Sequence, residues 1–204
     1  MGSDVPKQFH LLNGRPIIFH TIEKFINTYP EIEVIVVLPS DYLKGWEKLC
    51  LQYKFGYNVK TVEGGAKRYF SVKNGLQLAT GDLIAIHDAV RPLVKKKVIE
   101  DCFKYAEIGG AAIPVIKLKN SLRKITFDES RAVDRDLYCS VQTPQVFRSN
   151  VVKIAYDQEF NVLFSDDSSV VEACGHDVLL VVGNEENIKI TLPIDLKIAE
   201  VLSA

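Results

Sequence analysis

The chain has 204 residues, 47% of them hydrophobic and 25% charged, with a formal net charge of −1 at pH 7. That length suits one α/β domain with a sizeable core, and the apolar fraction excludes disorder as the main state. The near-zero charge excludes a global basic field for nucleic acid or an anionic membrane, so an anionic ligand must be held by a local basic cluster.

In chain order, "PKQF" (6–9) comes first, with no β-strand ahead of it. Pro16 is placed as the first residue of a helix whose one face carries Ile18, Ile22, Phe25 and Ile26. "EVIVVL" (33–38) is the first of four nearly continuous Val/Ile-rich runs; "LIAIH" (83–87), "AAIPVI" (111–116) and "VLLVV" (178–182) follow. Such runs predict strands covered on both faces of a mostly parallel sheet. Helices are expected at about 67–79 (Val72, Leu76, Ala79), at about 95–107, from Asp166 or Asp167, and from Pro193 with Leu196, Ala199, Val201 and Leu202. This alternation predicts a three-layer, doubly wound, Rossmann-like α/β sandwich with right-handed crossovers.

Residues 1–204 read as a single domain without repeats or a linker. Residues 117–141 break the alternation: they are polar and carry the short β-like pieces "SLRKITF" and "LYCSVQ". They predict a projecting β-arm at about 115–140, a natural dimerisation element because exposed strand edges seek partners. Cys50, Cys102, Cys139 and Cys174 are scattered without CxxC spacing. That argues against zinc and a disulfide framework, and for thiols in a reducing compartment such as the cytoplasm. No apolar run approaches the roughly 20 residues needed to cross a bilayer, and the polar start shows no signal peptide.

In doubly wound sheets, ligands bind beyond the C-terminal strand ends. "IHDAVRP" (86–92) puts Asp88 and Arg91 there. A carboxylate can hold a divalent cation and an arginine can fork onto a phosphate, although a capped turn accounts for the same residues. "GGAKRYFSVKNGL" (64–76) lets the backbone approach a ligand at Gly64 and Gly65 and offers Arg68 and Ser71, or it is a plain strand-to-helix turn. Asp134, Arg135 and Thr143 lie in "VDRDLYCSVQTPQVF" (133–147), and Lys189 alternates with Ile188 and Ile190. His87 reads as a strand-end structural residue. If Lys7, Arg68, Arg91, Arg135 and Lys189 converge on Asp88, they form the inventory for phosphoryl or nucleotidyl transfer.

The ordered set "PKQF", "GRPIIFHTIEKF", "GGAKRYFSVKNGL", "IHDAVRPLV", "VDRDLYCSVQTPQVF", "FSDDSSVVEACG" and "NIKITLPIDLKIAE" resembles the 2-C-methyl-D-erythritol 4-phosphate cytidylyltransferases of the non-mevalonate isoprenoid pathway. The resemblance implies transfer of CMP from CTP to methylerythritol phosphate with release of pyrophosphate, a divalent cation (normally Mg2+), and a homodimer formed through the arm. It implies that Lys7 stabilises charge on the triphosphate. It implies that Gly64, Gly65, Ala66, Arg68 and Ser71 contact cytidine. Asp88, with Ala89 alongside, would sit by the ribose, the metal and the α-phosphate, and Arg91 near the sugar phosphate. Asp134, Arg135, Thr143 and Lys189 would hold methylerythritol phosphate, with Ser121 a weaker match because the family has Asp-Thr where this chain has Asn120-Ser121.

The family also begins with an apolar strand and a glycine-rich loop ahead of the Pro-Lys-Gln segment, and neither is in this sequence. "MGSDVPKQF" then reads as the tail of a phosphate-binding loop. The expectation is a longer natural form, with the 204-residue chain poorly active and unstable on its own or reduced to nucleotide binding. Ribitol-5-phosphate cytidylyltransferases share the "HDAVRP" and "QTPQ" segments and are the rival enzyme reading; "FSDDSSVVE" and "VDR" favour methylerythritol phosphate.

Overall fold

A computed structural model describes residues 5–203. Of the stretch 1–9, expected to be the tail of a phosphate-binding loop, residues 1–4 lie outside the described residues. After a 3-10 turn at Lys7–Phe9 come a two-residue ribbon, β1 (Leu11–Leu12) and β2 (Arg15–Pro16), and α1 (Ile17–Thr28). Then follow β3 (Ile35–Leu38), α2 (Ser40–Leu43), α3 (Trp46–Gln52), β4 (Lys60–Glu63), α4 (Arg68–Leu78), β5 (Leu83–Ile86), α5 (Lys96–Gly109) and β6 (Ala111–Lys117). The arm hairpin is β7 (Leu122–Ile125) and β8 (Ser130–Val133). The chain returns through β9 (Cys139–Val141) and β10 (Gln145–Arg148) to α6 (Ser149–Ala155), α7 (Asp167–Glu172), β11 (Leu179–Val182) and α8 (Pro193–Leu202).

The main sheet has the order β11-β6-β10-β5. β11 runs parallel to β6, whereas β10 is antiparallel to both neighbours. The reversed strand departs from the parallel pattern for a topological reason: the arm turns the chain round, and it re-enters the sheet running backwards. Successive residues of β10 point to opposite faces. Phe147 packs with Tyr69, Leu76, Val152 and Val171 on one side. Val146 packs with Ile99, Cys102, Ala112 and Val181 on the other. Helices thus cover both faces, and the sheet is the middle of three layers.

β3 and β4 form a separate parallel pair. Between the facing edges of β3 and β5 lies a cavity of about 600 Å³, walled by Ile35, Val37, Ile84 and Ile86. It opens at the C-terminal strand ends beside Gln8, Arg68, Ser71, His87, Asp88 and Ala89. The arm hairpin stands away from this body, with Ile125 and Phe127 exposed. No helix among the described residues is long and apolar enough to cross a membrane.

Candidate active site

The sequence pattern ends β5 where "LIAI" gives way to His87-Asp88, and that strand end is the centre of the site. The Asp88 side chain is only 12% exposed and meets three cations: Lys189 Nζ at 3.0 Å and Arg91 Nε at 3.2 Å, both on Oδ2, and Arg68 Nε at 3.7 Å from Oδ1. Burial works to raise the Asp88 pKa, but Lys189, Arg68 and Arg91 together hold the carboxyl below its ordinary value. The carboxylate is therefore ionised and the positive charge around it exceeds its own. Such a centre attracts a polyanion.

Each cation reaches Asp88 from a different element. Arg91 comes from the turn after β5 and is fixed by donating Nη1 to the Asn187 carbonyl at 2.7 Å. Arg68 is the first residue of α4, placed there by the turn after β4. In that turn Gly64 donates its N–H to the Leu38 carbonyl and Gly65 donates to Ser71 Oγ. A Cβ at Gly65 would collide with Phe70, so the close turn requires glycine. Lys189 lies in an irregular segment rather than a strand. Alternation still operates: Ile190 is fully buried, Ile188 packs against the same small cluster, and Lys189 points the other way.

A buried polar layer lies beneath. Asn187 Nδ2 donates to the Thr143 carbonyl, Gln142 Nε2 donates to the Asn184 carbonyl, and Asn184 Nδ2 donates to the Leu93 carbonyl. These bonds tie the Lys189 segment to the loop after Asp88. The Thr143 hydroxyl oxygen accepts the Asp88 N–H at 3.1 Å and lies 2.9 Å from His87 Nδ1. His87 Nε2 lies 3.1 Å from the Arg91 carbonyl, which can only accept, so Nε2 carries the proton and Nδ1 accepts from Thr143.

That arrangement requires neutral His87. Burial, and secondarily the Arg91 charge, push its pKa down from 6.5 to about 4, against the opposing pull of its hydrogen bonds and Asp88. The unfolded chain then binds the extra proton between these values, so stability is complete above pH 6.5 and is lost as pH falls toward 4. The shift corresponds to roughly 3 kcal/mol. Urea unfolding measured from pH 7 to 4 is expected to show this decline, and His87→Gln to flatten it; an unchanged slope in that variant would remove the assignment.

The structure brings together Gly64, Gly65, Arg68, Ser71, Asp88, Ala89, Arg91 and Lys189, with Ala66 exposed in the same turn. Thr143 belongs to the layer beneath, buried and with its hydroxyl engaged inside the protein. Lys7 is exposed; it lies near enough to Asp195 to assist the Leu192 and Thr191 N–H groups in lowering that carboxyl's pKa. Ser121, Asp134 and Arg135 stand on the arm, exposed. The Asp134 carboxylate accepts the Asp136 N–H, and Arg135 Nη1 donates to the Lys119 carbonyl.

Tyr156, Asn184 and Asn187 carry no sequence signal for this site, and the sequence admits either Asp166 or Asp167 as the cap of α7. Asp166 is the cap, accepting the Ser169 N–H. Asp167 is fully buried and binds Arg68 through both carboxylate oxygens, at 2.7 and 2.6 Å. The one available signal was the adjacent Asp pair, since a helix start needs only one of them for its cap.

Among the described residues, no three His, Cys, Asp or Glu side chains cluster to hold a metal by themselves. A second, more open depression of about 1000 Å³ lies at the opposite strand ends, between Tyr29, Asp82, Lys104 and Arg148. It has no carboxylate on which cations converge and sits at the N-terminal end of β5, so the Asp88 cleft is the better site.

Known proteins share this architecture. A family model described as 2-C-methyl-D-erythritol 4-phosphate cytidylyltransferase matches residues 1–203. A protein of that name from Phocaeicola vulgatus is 46% identical over 203 residues, covering 99% of this chain and 93% of its own length. One from Porphyromonas gingivalis is 47% identical over 205 residues, covering 99% and 91%. The crystal structure of 4-diphosphocytidyl-2C-methyl-D-erythritol synthase from Anaerococcus prevotii superposes with a TM-score of 0.86 at 26% identity, covering 99% of this chain and 92% of that one.

Proposed function

The chain belongs to the 2-C-methyl-D-erythritol 4-phosphate cytidylyltransferase family, and on that premise we propose that the Asp88 cleft is where it joins CTP to methylerythritol phosphate. The protein is a nucleotidyltransferase that makes 4-diphosphocytidyl-2C-methyl-D-erythritol. A phosphate oxygen of methylerythritol phosphate attacks the α-phosphorus of CTP. The bond from that phosphorus to the bridging oxygen of the β-phosphate breaks, and pyrophosphate leaves with the electron pair. The attacking group is already an anion, so no general base is required.

The observation that carries this reading is the convergence of Lys189, Arg91 and Arg68 on one buried carboxylate beside a Gly-Gly turn. In it, Gly64, Gly65, Ala66 and Ser71 receive cytidine. Lys7 neutralises the triphosphate, and Lys189 neutralises the two phosphates brought together. Thr143 and Arg91 act from beneath by holding Asp88 and the Lys189 segment. Asp88 offers a single carboxylate oxygen set, which suits Mg2+ carried by nucleotide phosphates and water rather than caged by protein. When bound, that ion supplies charge neutralisation at the phosphates.

Ser121, Asp134 and Arg135 are assigned to methylerythritol phosphate through a homodimer. They stand on an arm whose exposed Ile125 and Phe127 suit a second copy. A cytoplasmic setting completes the reading, supported by four free thiols.

Pyrophosphate release with CTP and either sugar phosphate tests the activity, with light scattering on the same sample for the pairing. Turnover at least about tenfold faster with methylerythritol phosphate is expected, a difference of roughly 1.4 kcal/mol in transition-state binding. Faster turnover with ribitol 5-phosphate would overturn the substrate, and a scattering mass near the 22.9 kDa of one chain would overturn the dimer.

A further inference from the structure

The three cations at Asp88 are not held alike. Arg91 is clamped by backbone and Lys189 hangs from a pinned segment, but Arg68 is fixed from behind by a carboxylate 99 residues away in sequence. Its outer fork lies on Asp167, Nη1 to Oδ1 at 2.7 Å and Nη2 to Oδ2 at 2.6 Å, which leaves only the Nε edge toward Asp88. Asp167 is fully buried, and the Tyr156 hydroxyl donates to its Oδ1 at 2.6 Å. Tyr156 is itself immobilised: it is 2% exposed and its ring stacks on Tyr69, the residue after Arg68, with centroids 4.8 Å apart.

We propose that Asp167 and Tyr156 are positioning residues for the nucleotide, acting through Arg68 to hold its guanidinium edge against Asp88. Three observations carry this. α7 does not need Asp167 as a cap, because Asp166 accepts the Ser169 N–H and is itself held by Gln145. A buried ion pair is weak support for stability, since well-packed apolar residues substitute for one at little loss. And the Arg68 side chain is 41% exposed, so without the bidentate clamp a long guanidinium would sample several rotamers across the mouth of the cleft. Arg68 then serves as a fixed wall and charge beside Asp88, with one N–H of each terminal nitrogen committed to Asp167.

This inference rests on the reading of the cleft as the CTP site. Its test is a double-mutant cycle on the full chain, with Michaelis constants for both substrates, CTP binding by calorimetry and thermal unfolding measured together. Asp167→Asn is expected to raise the KM for CTP about tenfold and leave the KM for the sugar phosphate within about twofold. Tyr156→Phe, the milder variant, is expected to move CTP alone by about threefold in the same direction. In an Arg68→Met background, adding Asp167→Asn is expected to change the CTP constant by less than about twofold. Additive effects, equal movement of both substrates, or a fall in melting temperature with parental kinetics in both single variants would overturn the inference. Turnover by the parent with none of the CTP-specific effects sinks only this inference. A parent that neither binds nor turns over CTP sinks the cleft reading and the inference with it.

Discussion

Asp88→Asn is expected to lower kcat by about 10³-fold while the KM for CTP moves less than about tenfold. The substitution keeps shape and one acceptor oxygen but removes the charge on which Lys189, Arg91 and Arg68 converge. Those cations remain and still attract a triphosphate, so ground-state binding survives. What is lost is the negative charge that balances them and the one carboxylate, among the described residues, at this strand end that could meet a nucleotide-borne cation. Preorganised charge aimed at the developing transition state is worth about 10²–10³ per group. Steady-state kinetics with both substrates saturating, across a magnesium titration, measures this. A variant whose kcat stays within about tenfold of the parent would remove Asp88 from the chemistry.

The second large effect is at Lys189. Lys189→Met should lower kcat/KM for methylerythritol phosphate by about 10²–10³-fold, with the loss shared between kcat and the KM for that substrate. The ammonium is 3.0 Å from Asp88 Oδ2 and its side chain is 45% exposed, so it can meet an incoming phosphate and follow it to the transition state. Methionine preserves the length and the packing of the stem, which leaves Ile188 and Ile190 in place and keeps the segment folded. Lys189→Arg should recover part of the activity, because charge is restored with a different fork geometry. If both constants for the sugar phosphate stayed within about threefold of the parent, Lys189 would be a solvated surface charge.

The two residues also show how far sequence reading reaches. Asp88 was legible because it is local: a Val/Ile-rich strand stops, a charged turn follows, and α/β sheets bind ligands beyond that end. Lys189 was legible in direction, through its alternation with Ile188 and Ile190, although the segment is not a strand. Arg68 was placed at the site, but its clamp on Asp167 was not, because two residues 99 positions apart meet only after α4 and α7 pack. At Thr143 the limit runs the other way: in the polar Gln-Thr-Pro-Gln run, Gln142, Thr143 and Gln145 are buried and hydrogen-bonded inside the protein, a burial that the run's polarity does not announce.

By itself the sequence determined the α/β class, the main β-strand and helix positions, the projecting arm and the family, since these follow from local periodicity and an ordered set of motifs. Tertiary structure alone decided that β10 enters the sheet reversed between β5 and β6. It also decided that β3 and β4 stand apart across a cavity, and which of the polar residues line the cleft and which brace those that do. The physical reason is that hydrophobic periodicity specifies which face of an element is buried, whereas hydrogen-bond and ion-pair partners are chosen by distance in space. A carboxylate such as Asp167 carries no mark in the sequence that distinguishes a solvated cap from a buried clamp.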